Sequence, residues 1–260
     1  MLFPAYPPVS EEKKKFYLWK RKLKDKVKAC LPQSMIVRLR TNRFFQILAH
    51  EPLTFDGKFR DGSALLTKGV YQTDVTIGER RALLAALYER FRENGIVSYL
   101  EIGVLGGGTI KFLLDQIPTL RCTGVDLFED FMPSGDNTHG SPTYRLEDVR
   151  QSLGSEVMLL KGDTNQILPR LKAETQTFDL IFIDANHTYA GCRADFENSA
   201  LLLKPGGYIA FHSGSVQYHP DYKYIVIDGG PWKVTQEIRR LPQFDLAIEV
   251  ERMRIFQLKV

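Results

Sequence analysis

No run of apolar residues in this chain reaches the ~18 to 20 needed to span a bilayer, so no transmembrane helix is expected. Cysteine is scarce. Cys30, Cys122 and Cys192 lie far apart and form no CxxC pair. That spacing excludes a disulfide framework or a structural zinc site and suits a reducing compartment. The first residues carry Pro4, Pro7 and Pro8 and then Glu11-Glu12-Lys13, which lacks the plan of a secretory signal. A cytoplasmic location is the expectation. Internal repeats are absent too. So is the G-x-G-x-x-G dinucleotide fingerprint: position 105 is Leu, which leaves Gly103 and Gly106 three apart.

The rest of the composition is ordinary. With 43% hydrophobic and 25% charged residues, the 260-residue chain has the make-up of a soluble globular protein. Its length suits one large α/β domain with an appendage. Charge is unevenly spread. Residues 1–43 hold twelve Lys/Arg against three acids, while the whole chain is +4, so the remainder carries −5. Ser10-Glu11-Glu12 opens a helix there, with Phe16, Trp19, Leu23 and Val27 as an apolar stripe among lysines. Such a basic helix can lie on anionic membrane, grip nucleic acid, or pack on the main domain or a second copy of the chain. The packing reading, including a homo-oligomer joined through this helix, is the simpler one.

The informative segment is Ser98-Tyr99-Leu100-Glu101-Ile102-Gly103-Val104-Leu105-Gly106-Gly107-Gly108-Thr109. A strand ends in an acid and runs into glycines, which let backbone approach a ligand where a Cβ would clash. A second acid, Asp126, ends the next strand, where it can take both hydroxyls of a ribose. Glu101 would repel a pyrophosphate but suits a cationic, amino-bearing ligand. S-adenosylmethionine has a sulfonium, an ammonium and a ribose, and no phosphate.

The segment from residue 76 onward alternates strand and helix. A helix near 77–94 carries Leu83, Leu84, Leu87 and Phe91 inward and ends at Asn94-Gly95. Strands are expected at 97–102, 121–126, 157–160, 178–184 and 208–212. Helices are expected at 108–116, 146–153, 164–172 and 189–203, with Pro205-Gly206-Gly207 turning the chain into the fifth strand. A helix at 231–240 and a hairpin of strands at 244–250 and 252–259 close the pattern. Residues 128–145, with two prolines and two glycines, read as a long functional loop. The fold expected is α/β: a doubly wound, seven-stranded, mostly parallel Rossmann-like sheet with a terminal antiparallel hairpin. Residues 1–75 form a basic helical leader and cover, and residues 76–260 the cofactor-binding domain.

Five stretches now form a pattern. Glu101 to Gly107, Asp126, Gly162-Asp163 and Leu203-Lys204-Pro205-Gly206-Gly207-Tyr208 resemble the ordered motifs of class I S-adenosylmethionine-dependent methyltransferases. Phe182-Ile183-Asp184-Ala185-Asn186-His187-Thr188-Tyr189 resembles the IDGDHSY signature of a subgroup that includes macrolide-sugar O-methyltransferases. The resemblance implies a set of cofactor-binding residues: Glu101, Gly103, Gly106, Gly107, Thr109, Asp126, Phe128, Asp163 and Asp184. Of these, Glu101 and Gly103 face the methionine moiety, Asp126 holds the ribose, and Phe128 and Asp163 lie by the adenine. It also implies a magnesium ligand at Asp184 and a general base at His187. Strand five in metal-using relatives usually ends in His-Asp or an acid pair, whereas here it ends in His212-Ser213, a poor magnesium site.

Methyl transfer to oxygen needs the acceptor held near the methyl and its proton removed, work suited to a neutral histidine. The catalytic candidates are His187, Asp184 and His212. His187 is either the base or a cap for the next helix, and His212 is the rival base. Tyr189 and Trp232 are candidates to line an acceptor pocket. The expected activity is O-methylation of a hydroxylated small molecule, a sugar or natural product. One alternative is a nucleic-acid methyltransferase using the basic leader, although no Asn-Pro-Pro-Tyr-like motif is present. The other is a non-catalytic cofactor-binding protein.

Overall fold

The structure is a computed structural model, and it describes residues 73, 75–128, 144–215 and 229–260. The basic leader, most of the connector and the loop at 129–143 lie outside the described residues.

Thr76 starts helix α1 (Ile77–Asn94) with a capping box: its hydroxyl accepts from the Glu79 amide, and Glu79 reaches back to the Thr76 amide. Gly95 ends the helix. The order then runs β1 (Ser98–Ile102), α2 (Gly108–Gln116), β2 (Arg121–Asp126), α3 (Leu146–Leu153) and β3 (Met158–Lys161). It continues with α4 (Thr164–Ala173), β4 (Phe178–Ile183), α5 (Tyr189–Ala200), β5 (Leu203–Phe211), α6 (Gly230–Ile238), β6 (Phe244–Val250) and β7 (Met253–Leu258).

The seven strands stand in the order β3-β2-β1-β4-β5-β7-β6. The first five are parallel, and β7 runs antiparallel between β5 and β6. This is the α/β sheet with a terminal hairpin that the sequence pattern implies. Order reverses between β1 and β4, so a crevice opens at their carboxyl ends.

Side-chain alternation builds two cores. Leu180 and Phe182 of β4 and Tyr208 and Ala210 of β5 face α1, α2 and α3. Ile181, Ile183, Ile209 and Phe211 face α4, α5 and α6.

Two boundaries differ from expectation by more than two residues. Helix α5 stops at Ala200, three residues short of 203. Strand β5 starts at Leu203, ahead of the proline and glycines that read as a turn. Leu203 pairs with Phe178, and the register shifts before Leu180 pairs with Tyr208. The Pro-Gly-Gly run is a bulge inside the strand. It lets the Lys204 ammonium reach the Asp179 carboxylate at 2.7 Å.

Candidate active site

Four strand ends supply the site. At β1, Gly103 (φ 90°) leads the chain away, and a Cβ there would stand 2.3 Å from the Asp184 carbonyl oxygen. The glycine therefore serves a backbone-to-backbone contact between two loops. Leu105, a non-glycine, also takes a left-handed conformation at φ 53°, a cost of about 1 kcal/mol or more that the surroundings must hold. Its holder is Asp126. One carboxylate oxygen accepts the Val104 and Leu105 amides at 2.7 and 2.9 Å, and the other accepts the Phe128 amide at 2.7 Å. The amides that would cradle a pyrophosphate are thus spoken for.

Glu101 is 2% exposed and accepts a hydrogen bond from the Tyr99 hydroxyl at 2.7 Å. Burial pushes its carboxyl well above the usual range, and the charges of Asp184 and Asp126 add to this against the Tyr99 bond. A buried acid of this kind is suited to receive an amino-bearing cation. Gly106 and Gly107 complete the turn, and Gly107 is the N-cap of α2. Thr109, buried in the first turn of α2, shares a hydrogen bond with the Thr73 hydroxyl at 3.0 Å. Phe128 packs in the core beneath the crevice, and its neighbour Leu127 is the exposed apolar side chain there. Asp163 caps α4 by accepting from the Asn165 amide at 2.8 Å.

Beyond β4, the polar residues converge. Asp184 Oδ1 lies 3.1 Å from His187 Nε2 and 2.7 Å from His212 Nδ1. Burial would raise the Asp184 carboxyl, but the charge of His212 and hydrogen bonds from both rings outweigh it and hold the group at about 2. An ionised Asp184 accepts from both imidazoles. His187 then carries its proton on Nε2 and presents the basic lone pair on Nδ1. The cap of α5 is made by other residues: the Gly191 amide donates to the Thr188 hydroxyl, and the Thr188 amide to Asn186 Oδ1. Gly230 holds the far side of this turn. A Cβ there would meet the His187 carbonyl oxygen at 2.3 Å. Tyr189 and Trp232 meet at a groove of about 390 Å³ between α5 and α6, where the Tyr189 hydroxyl donates to Glu237 at 2.7 Å.

The structure thus brings Asp184, His187 and His212 together, with Glu101 and Asp126 across the crevice. Sequence reasoning missed Glu79, a fully buried acid whose carboxylate lies 3.6 Å from His212 Nε2. Its only sequence signal was the Thr76-x-x-Glu79 capping box.

Residues 100–214 match the family model described as a methyltransferase domain. S-adenosylmethionine is the cofactor that belongs to this domain and fold. No curated protein matches the chain. Solved structures with the same fold include a putative caffeoyl-CoA O-methyltransferase from Staphylococcus aureus. It is 13% identical at a TM-score of 0.52, over 88% of this chain and 99% of that one. Another is the O-methyltransferase TomG from Streptomyces achromogenes, involved in tomaymycin synthesis and in complex with S-adenosylmethionine. It is 19% identical at a TM-score of 0.50, over 73% and 84%. The mycinamycin-pathway methyltransferase MycE, in complex with magnesium and S-adenosylhomocysteine, is 19% identical at a TM-score of 0.46. There 67% of this chain is covered, and the match spans about half (49%) of the MycE chain.

The polar cluster at the strand ends fits magnesium poorly. Among the described residues, the group able to surround an ion is Asp184, His187 and His212, with ligand atoms within 4.8 Å of one another. Two imidazoles and one carboxylate oxygen are not the oxygen octahedron magnesium demands. Ser213 stands where a second carboxylate would be needed.

Proposed function

We propose that this chain transfers a methyl group from S-adenosylmethionine to the hydroxyl of a small-molecule acceptor, with His187 as general base. The observation that carries this reading is the Asp184–His187 bond at the carboxyl edge of the sheet, where ligands of open α/β folds bind.

When bound, S-adenosylmethionine supplies a methyl carbon activated by its positive sulfur. The residues of the chain do the rest. Glu101 receives the amino group of the methionine moiety. The remaining lone pairs of Asp126 meet the ribose hydroxyls, and Leu127 and Phe128 border the adenine, with Asp163 at its edge. His187 would take the acceptor's hydroxyl proton on Nδ1, leaving the acceptor oxygen able to receive the methyl that the bound cofactor would supply. Asp184 keeps the ring oriented and stabilises the imidazolium that forms. Positioning and proton removal are all that an in-line displacement at sulfonium asks of a protein, so no metal is needed in this scheme. A sugar or another hydroxylated natural product is the acceptor class we favour. The larger division into a leader at 1–75 and a catalytic domain at 76–260 belongs to the same proposal.

Calorimetric titration with S-adenosylhomocysteine, with NAD as control, tests the cofactor. Micromolar binding of the first and none of the second is expected. An acceptor screen in the presence of a chelator then tests the chemistry. Turnover that requires added magnesium would overturn the metal-free part. Salt-dependent RNA binding with methylation of the RNA would move the reading to nucleic acid.

A further inference from the structure

We propose that Glu79 is a positioning residue for the base, acting through His212 and Asp184. It lies outside the segment that matches the methyltransferase domain, and the inference rests on His187 being the base.

Glu79 is fully buried, which is rare for a carboxylate unless it is paired. A capping-box glutamate ordinarily sits at the surface, so the cap does not account for its burial. The capping bond from the Thr76 amide uses Oε2 at 2.9 Å. Oε1 accepts the Arg252 amide at 3.1 Å, and the Arg252 guanidinium stands 3.6 Å from Oε2. His212 Nε2 faces the same Oε2 at 3.6 Å. Burial would raise the Glu79 carboxyl, yet His212, the Thr76 amide and Arg252 together bring it below its ordinary value.

Strand alternation explains the meeting. Leu180 and Phe182 face α1, and Asp184 is next in that series. Tyr208 and Ala210 face α1, and His212 is next in theirs. The first turn of α1 therefore sits over both strand ends. A continuous line of polar groups follows: Glu79 to His212 at 3.6 Å, His212 to Asp184 at 2.7 Å, and Asp184 to His187 at 3.1 Å.

The His212 ring is thereby anchored by a hydrogen bond at Nδ1 and lies in the field of the Glu79 carboxylate, 3.6 Å from Nε2. Its orientation decides which lone pair of Asp184 Oδ1 remains for His187, and so where the basic nitrogen of His187 points. This is a small angular effect with a large catalytic lever.

The test uses the full chain saturated with S-adenosylhomocysteine and labelled with ¹⁵N-histidine, read by NMR of the ring nitrogens. Glu79→Gln should shift the ring signals of both His212 and His187 while leaving the affinity for S-adenosylhomocysteine within about two-fold. Thr76→Ala weakens the cap but keeps the Glu79 charge, so it should lower the melting temperature and leave the rings unmoved. Glu79→Asp, which keeps the charge at shorter reach, stands in should Glu79→Gln not fold, and it should shift the rings less. With an acceptor from the screen, Glu79→Gln should lower kcat by about ten-fold at unchanged KM. It should have no further effect in a His187→Ala background. Unmoved His187 signals in Glu79→Gln, or equal movement in Thr76→Ala, would overturn the proposal. Full turnover by His187→Ala would instead remove the base assignment, whatever the rings report.

Discussion

Strand β4 has a buried aspartate at its amino end and a half-buried one just past its carboxyl end, and the two do different work. Asp179, at the amino end, is sealed from water and gripped by permanent partners. The Lys204 ammonium stands at 2.7 Å, the Ser98 amide and hydroxyl at 2.9 and 3.0 Å, and the Arg90 guanidinium at 3.4 Å. Asp184, at the carboxyl end, is gripped by two imidazoles. Burial pushes both acids up, and their partners pull both below the ordinary value. Burial therefore does not decide what a carboxylate does here; its partners decide. Lysine and arginine keep their protons at any physiological pH and make a staple across β1, β4, β5 and α1. Two imidazoles are groups that can both give and accept a proton, which is what the proposed base requires.

The largest effect should come from breaking the carboxyl end. His187→Ala should cut turnover by ~10² to 10⁴ while changing the melting temperature little, because the cap of α5 is made by Thr188. Steady-state assay and calorimetry check both halves, and a loss of stability without loss of rate would reverse the contrast. At the amino end, Asp179→Ala should cost about 3 kcal/mol of stability, since it strands the Lys204 and Arg90 charges. Denaturant unfolding measures it, and kcat per folded molecule should not move.

A third aspartate sharpens the contrast. Asp195 on α5 is 2% exposed, and among the described residues its Oδ2 has no hydrogen-bond partner. Burial lifts it to about 6, the neighbouring Asp163 charge adding to the rise and a bond from Thr164 opposing it. Because the folded value is raised, its benefit to the fold is complete below about 4 and is lost as pH rises through about 6. Asp195→Asn should therefore overtake the wild type between pH ~4 and ~6, and be more stable by about 2 kcal/mol at pH 7. Melting curves across that range would show it, and parallel curves would refute it. The smallest signal is a proton count. Burial favours the protonated form of the Glu101 carboxyl, and an ammonium-bearing ligand should drive that proton out to solvent. Titrating S-adenosylhomocysteine in buffers of different ionisation enthalpy should reveal net proton release, reduced in Glu101→Gln.

Much of this was legible in the residues. The continuous apolar run of β4 and the alternation around it located the strands, because a strand buried on both faces has few other solutions. Glu101, Asp126, Asp184, His187 and His212 were readable because strand ends in a parallel sheet point at one edge. The bulge in β5 was not, since Pro-Gly-Gly reads as a turn unless one knows that Lys204 must reach Asp179. Nor was Glu79's second role. A capping box announces a helix start, and only the packing of α1 over β4 and β5 brings that carboxylate to His212.

The shared use of Glu79 ties chemistry to temperature. The first turn of a helix frays at a much smaller free energy than a central sheet melts. Warming that loosens the Thr76–Glu79 cap withdraws the carboxylate from His212 while all seven strands are still paired. Heat would then slow the site some degrees before the protein unfolds, and the lost rate would return on cooling without any refolding.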